Sequence, residues 1–308
     1  MSVYVIVPAF NEAENLAVVV PAIVDELDNL NVAGHVCVVD DGSTDGTESV
    51  MRELERSHSA VISERLSRNR GKAVALQCGF DLALAADADV IVMMDADGQD
   101  DPSELPRLLS ELASCQGLVT GARVTRNDRF IKRSTSRLFN GVTAALSGAP
   151  GRDFNSGFKV MTADVAADIS PMLYGEMHRF ITVMAHWLGY PTRELPVAHH
   201  ERLHGKTKYG INRFWRGFMD LLTVKFLMSY ESRPSHLFGG FGFVSLAVGA
   251  LMLGYLLIQR LLGGSIGERP MLIAGVLLVV VGLQLILFGL LAELLVYTRQ
   301  QSVKESRK

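Results

Sequence analysis

Apolar residues along the first 200 positions fall into two patterns. Short, continuous, largely β-branched runs at residues 3–7, 36–39 and 90–94, with a fourth run at 118–123, predict strands, because a strand covered on both faces needs no polar alternation. Between the runs, apolar positions recur at helical spacing: Leu16, Val19, Val20, Ile23 and Leu27 after the first, residues 50–54 after the second, and Leu105, Leu108, Leu109 and Leu112 after the third. Strand and helix alternate, which predicts an α/β fold with a mainly parallel sheet. Pro8 closes the first predicted strand.

Beyond residue 200 the pattern changes. Ile211, Phe214, Trp215, Phe218, Leu221, Leu222 and Phe226 keep helical spacing, with Arg213, Arg216 and Lys225 elsewhere on the helix. This predicts an amphipathic element at a membrane interface. Residues 237–258 and 271–292 contain no Asp, Glu, Lys or Arg. At about 1.5 Å per residue each run can cross a hydrocarbon layer of about 30 Å, so two transmembrane helices are expected. The expected division is an α/β domain over residues 1–210, an interface helix and linker over 211–233, a two-helix membrane domain over 234–298 and a basic tail over 299–308.

Charge and composition narrow the setting. A net charge of −3 argues against a nucleic-acid binder, which would carry a basic surplus. Cys37, Cys78 and Cys115 are few, odd in number and lack metal-ligand spacing, so a reducing compartment is the simplest setting. The amino terminus lacks the basic start and cleavage site of a secretory signal. Arg299, Lys304, Arg307 and Lys308 follow the second apolar run and place the tail, and with it the large domain, on the cytoplasmic side of the cell membrane; Arg260 and Arg269 between the runs weaken that bias without reversing it.

The candidate chemistry sits where the predicted strands stop. In open parallel sheets ligands bind beyond the carboxyl ends of the strands, so residues 8–12, 40–45 and 95–99 should face one cleft. Asp95 and Asp97 at i and i+2 point the same way and can hold one hard divalent ion through oxygen ligands, with open positions for phosphate oxygens. Asp40 and Asp41 either serve the cleft or cap the next helix, a task Ser43, Thr44 or Asp45 could also perform. His199, His200 and Glu201 carry metal-competent groups, but adjacent histidines on a strand point to opposite faces.

Four segments in order, Val7-Pro8-Ala9-Phe10-Asn11-Glu12, Val39-Asp40-Asp41-Gly42-Ser43-Thr44-Asp45, Arg70-Gly71-Lys72 and Asp95-Ala96-Asp97-Gly98-Gln99, resemble the motifs of family 2 glycosyltransferases with a GT-A (Rossmann-like) fold. Within that family the chain resembles the dolichol-phosphate mannose synthase and polyprenyl-phosphate glycosyltransferase branch. The resemblance makes residues 1–210 a catalytic domain and implies donor contacts from Pro8, Phe10, Glu12, Val39, Asp41, Asp95, Ala96, Asp97 and Arg202. It implies Asp95, Asp97 and Gln99 around a Mg²⁺ or Mn²⁺ that carries the diphosphate. Acceptor phosphate contacts are implied for Arg123, Lys132, Arg133, Ser136 and Lys208; spacing does not choose between Lys132 and Arg133. Asp153, Asn155 and Glu176 fall near the sugar, although Gly157 would equally serve a simple turn and Glu176 a helix start. Arg202 with Gly205-Lys206-Thr207-Lys208 resembles the family's Arg-x-x-Gly-x-Ser-Lys loop, with Thr207 in place of serine.

The implied activity is inverting transfer of a hexose, mannose or glucose, from a GDP- or UDP-sugar to polyprenyl or dolichyl phosphate at the cytoplasmic leaflet, with Asp95, Asp97, Arg123 and Arg202 as its catalytic set. Its partners are the donor, the lipid acceptor and the bilayer, with no nucleic acid; a homo-oligomer is compatible with the pattern. Two alternatives stand beside it. A processive polysaccharide synthase would carry a Gln-x-x-Arg-Trp motif, and only Trp215-Arg216 is present; a catalytically silent membrane scaffold would have little use for Asp41, Asp95, Asp97 and Arg202 together.

Overall fold

The computed structural model describes residues 1–123, 140–145, 147–200, 219, 223, 234–263 and 270–306. Lys132, Arg133, Ser136, Arg202, Lys208 and the expected interface helix, apart from the helical Met219 and Thr223, lie outside them. The chain forms two compact units, residues 1–225 and 226–308.

The first unit is a seven-stranded sheet in the order β3-β2-β1-β4-β6-β5-β7. Its strands are β1 (Ser2–Ala9), β2 (Ala33–Asp40), β3 (Val61–Arg65), β4 (Val90–Met93), β5 (Leu118–Arg123), β6 (Lys159–Thr162) and β7 (Thr192–Val197). All neighbours are parallel except the two pairs made by β6, which runs antiparallel to β4 and β5. β1 continues through Pro8, further than the sequence predicts. The reason lies in the register: β4 accompanies β1 only as far as Ile6 opposite Met93, while β2 follows it to Ala9 opposite Asp40. Pro8 faces the side that β4 has vacated, so its missing N–H breaks no ladder.

Both faces of the sheet are covered, which is why its central strands read as unbroken apolar runs. Val3, Val5 and Val7 share a core with Leu16, Val20 and Ile23 of α1 (Ala13–Asn29) and Leu105, Leu108 and Leu112 of α4 (Leu105–Cys115). α2 (Thr47–Ser57) adds Met51 and Leu54 to that core. On the opposite face α3 (Lys72–Ala85) buries Leu76, Phe80 and Ala83. Gly79 brings α3 onto the sheet, since a Cβ there would stand 2.3 Å from Ile6 Cγ2. Two short helices, α5 (Ala163–Ile169) and α6 (Ile181–Trp187), complete the layer.

The second unit is a helical pair, α7 (Pro234–Leu261) and α8 (Pro270–Ser306). Phe238–Leu261 and Pro270–Val296, with mean hydropathies of 2.2 and 2.8, are long and apolar enough to cross a membrane. They pack antiparallel through small residues. A Cβ on Gly242 would lie 2.8 Å from Gly282 O, and one on Gly249 would lie 2.8 Å from Gly275 O. Ser245 Oγ donates to Leu278 O at 2.8 Å. Close backbone approach through glycine is how apolar helices associate where the hydrophobic effect offers nothing.

Candidate active site

The ends of β1, β2 and β4 open on one edge, and the loops after them enclose a cleft of about 350 Å³. Its lining includes Pro8, Phe10, Glu12, Asp41, Lys72, Asp95, Ala96 and Asp97, so three of the four sequence motifs meet there directly, and Gly71 and Lys72 bring the fourth. Val39 is buried within β2 and does not reach the cleft surface. Phe10 is 44% exposed at the rim, an apolar plane suited to a base or ribose.

Hydrogen bonds lace the first two loops together. Asn11 N–H donates to Ser43 Oγ at 2.8 Å, Thr44 N–H to Asn11 Oδ1 at 2.9 Å, and Glu12 N–H to Thr47 Oγ1 at 3.1 Å. The two aspartates left open by the sequence now separate. Asp45 accepts from Thr47 N–H at 3.0 Å and serves the start of α2, so neither neighbour is needed as a cap. Asp40 is fully buried and braces its own loop, accepting from Ser43 N–H at 2.9 Å, with Arg65 Nε 3.3 Å from its other oxygen. Asp41 accepts from Arg70 N–H at 2.6 Å and Gly71 N–H at 2.8 Å, which pins the Arg70-Gly71-Lys72 turn to the cleft.

Lys72 then reaches across, and its ammonium pairs with Asp95. Burial raises the Asp95 pKa, but the opposing Lys72 charge and hydrogen bond, with His178 and Arg123 adding smaller contributions, hold it below the ordinary carboxylate value. Asp95 thus stays ionised beside a cation. Gly157 abuts the same carboxylate: a Cβ at that position would stand 2.6 Å from Asp95 Cγ. Asp97 Oδ1 accepts from Gln99 N–H at 3.2 Å around the left-handed Gly98. The loop is braced from β7 onward, where His200 N–H donates to Gln99 O at 2.8 Å, Asp100 bridges to His199, and His200 Nε2 lies 2.9 Å from Asp101 Oδ2. The histidines therefore buttress the acidic loop through Asp100 and Asp101.

The donor set of Asp95, Asp97 and Gln99 fits Mg²⁺ or Mn²⁺ in kind: two carboxylates and an amide, all hard oxygen donors. The Lys72 ammonium at Asp95 shows that the position already holds positive charge. Among the described residues no group of three His, Cys, Asp or Glu is gathered that could hold a metal ion by itself.

Arg123 is engaged rather than free. Its Nε donates to Asp153 Oδ2 at 2.7 Å and its Nη2 to Asp153 Oδ1 at 2.8 Å, a bidentate pair with both side chains largely buried. Desolvation disfavours the charged guanidinium, and this pairing outweighs it, raising the Arg123 pKa. Asn155 and Glu176 are half-buried outside the cleft lining, and Glu176 pairs with the buried Arg179. Three features escaped the sequence reading: the Lys72–Asp95 pair, the Arg123–Asp153 clamp and a fully buried Lys159. Only the last left a mark, a lysine within the apolar run Phe158-Lys159-Val160-Met161.

Fold and cleft together define a glycosyltransferase of the GT-A kind. Residues 4–169 match the model of glycosyl transferase family 2, and the chain belongs to that family. It is 36% identical over 299 residues, 95% of this chain and 87% of the relative, to the dodecaprenyl-phosphate galacturonate synthase of Rhizobium johnstonii. It is 30% identical, over 94% of this chain and 87% of the relative, to the undecaprenyl-phosphate 4-deoxy-4-formamido-L-arabinose transferase of Edwardsiella ictaluri. Among solved structures the mannosyltransferase PcManGT of Pyrobaculum calidifontis, in complex with GDP-Man and Mn²⁺, shares the fold with a TM-score of 0.50 at 24% identity, over 74% of this chain and 63% of that one.

Proposed function

We propose that this protein transfers a single sugar from a nucleoside diphosphate donor to a polyprenyl phosphate, at the cytoplasmic face of the cell membrane that α7 and α8 cross. The observation that carries the reading is the meeting of Asp41, Lys72, Asp95 and Asp97 in one cleft, in a chain that matches polyprenyl-phosphate sugar transferases over nearly its whole length. The galacturonate relative makes a hexuronate the first donor to test, ahead of mannose or glucose.

In this reading Phe10 and Asp41 border the nucleoside, and Asp95, Asp97 and Gln99 hold a divalent cation. The cation would neutralise charge on the departing diphosphate. Lys72 stands beside that charge. An acceptor phosphate oxygen bonds to the anomeric carbon as the bond from that carbon to the diphosphate oxygen breaks; the bonding pair leaves with the nucleotide and the configuration inverts. A phosphate monoester is already anionic near neutral pH, so no strong general base is required. Arg123, with Arg202 and a basic residue of the 126–137 segment, would orient the acceptor phosphate.

The test offers the full-length protein a panel of labelled donors, UDP-galacturonate, UDP-4-formamido-arabinose, UDP-glucose and GDP-mannose, with polyprenyl phosphate. Label in the lipid extract from one donor supports the reading and names the sugar. Absence of lipid label from every donor would overturn it.

A further inference from the structure

Lys159 is 0% exposed, and Asp153 is the carboxylate that acts most strongly on its ammonium. A cation in such a place is strongly disfavoured unless its protons are taken up. They are taken up locally: Nζ donates to Phe154 O at 3.3 Å and also to Ser156 O. Both acceptors belong to the turn 153–158, which leads into β6, where Lys159 stands opposite Met93 of β4 and Thr120 of β5. The ammonium therefore closes its own preceding turn from beneath, helped by Ser156 N–H to Asp153 O at 3.3 Å and Phe158 N–H to Ser156 Oγ at 3.2 Å.

That turn touches both halves of the site. At one end Asp153 grips Arg123 through two hydrogen bonds, and near the other Gly157 lies so close to Asp95 that a Cβ would overlap the carboxylate. A shift of the turn would move the arginine and release the carboxylate together. We propose that Lys159 is a positioning residue that keeps the turn 153–158 wedged between Asp95 and Arg123, and so fixes the separation of the donor carboxylate from the acceptor arginine. This rests on the proposed function for the identity of the two substrates, though not for the geometry. Burial lowers the Lys159 pKa, and of the charges around it Asp153 and Asp95 favour the ammonium while Lys72 and Arg123 oppose it.

The experiment compares wild-type full-length protein with Lys159→Met and Lys159→Gln at matched folded fraction. It reads Mn²⁺ affinity in the presence of UDP by electron paramagnetic resonance, and KM for polyprenyl phosphate separately from kcat. Residues that orient metal ligands from behind typically cost 10–100-fold in affinity when removed, so Lys159→Met is expected to weaken Mn²⁺ binding by about tenfold or more and to raise the acceptor KM with it. Lys159→Gln keeps an uncharged NH2 group that can donate and should fall between. A lowered melting temperature with unchanged Mn²⁺ affinity and KM would reduce Lys159 to a structural role and overturn the proposal, as would failure of both variants to fold. Absence of Mn²⁺–nucleotide binding by the wild type would instead overturn the metal reading of the cleft.

Discussion

At Asp95 the fold has already set a cation, the Lys72 ammonium, in the position a divalent ion would contest. Removing the ammonium therefore has two opposite consequences. Lys72→Met should tighten Mn²⁺ binding in the absence of nucleotide, because the carboxylate loses its competitor, and weaken binding of the nucleoside diphosphate, which loses a cation. Titration calorimetry of each ligand separately checks both signs; unchanged affinities would leave Lys72 a surface ion pair worth about 0–1 kcal/mol. Asp97→Ala should leave the melting temperature near that of the wild type and lower turnover by on the order of a hundredfold or more, since the cation loses a ligand where charge develops. Lys159 makes a prediction of its own in pH. Burial depresses its pKa from 10.5 to about 8. Between those values the unfolded chain binds the proton and the folded one does not, so stability from this group is absent below pH 8 and rises toward 10.5. Cys37 acts the other way, because burial raises its thiol from 9.0 to about 12 and stability is lost as pH climbs above 9.0. The clean window is therefore pH 8 to 9, where denaturant unfolding should show a rise in wild type that Lys159→Met abolishes. At this scale Asp41, Asp95 and Asp97 were legible because acidic residues ended apolar runs. The pairing of Lys72 with Asp95, the pairing of Arg123 with Asp153 and the burial of Lys159 were not, because nothing in spacing says which cation crosses to which carboxylate.

Elements were more legible than residues. β1, β2 and β4 announced themselves as continuous apolar runs, and α1 and α4 by their apolar stripe, since each buries one face against the sheet. β6 did not: four residues, one of them a buried lysine, inserted antiparallel between β4 and β5, two consecutive strands well before it in the chain, carry no local signal. α7 and α8 were legible as apolar lengths, while their pairing through Gly242, Gly249, Gly275 and Gly282 was not, because one glycine in an apolar helix looks like any other. That pairing is testable. Gly282→Leu places a side chain where even a Cβ would stand 2.7 Å from Gly242 O. Overpacking of this kind costs roughly 1–3 kcal/mol, so the variant should unfold at lower denaturant in bicelles than Gly254→Leu, whose Cβ would meet nothing. Equal unfolding midpoints would mean that the helices do not meet along this seam.

Across the whole molecule, two units with different solvents divide the work: an α/β unit whose cleft suits a water-soluble nucleotide sugar, and a helical pair whose exposed face is almost entirely apolar, with Leu251, Leu261 and Ile273 each more than 70% exposed. The sequence showed this division as a change from alternating strand and helix patterns to two uncharged runs; it could not show the sugar, which depends on a few side chains around one ring. Full-length protein purified into liposomes containing polyprenyl monophosphate, given its labelled donor and analysed by mass spectrometry of the lipid, tests the central claim most directly. The account predicts a lipid heavier by one sugar and still bearing one phosphate, one nucleoside diphosphate released per sugar transferred, loss of product with EDTA, and no product with unphosphorylated polyprenol. A lipid bearing two phosphates, a sugar polymer, or undiminished transfer to the free alcohol would contradict it.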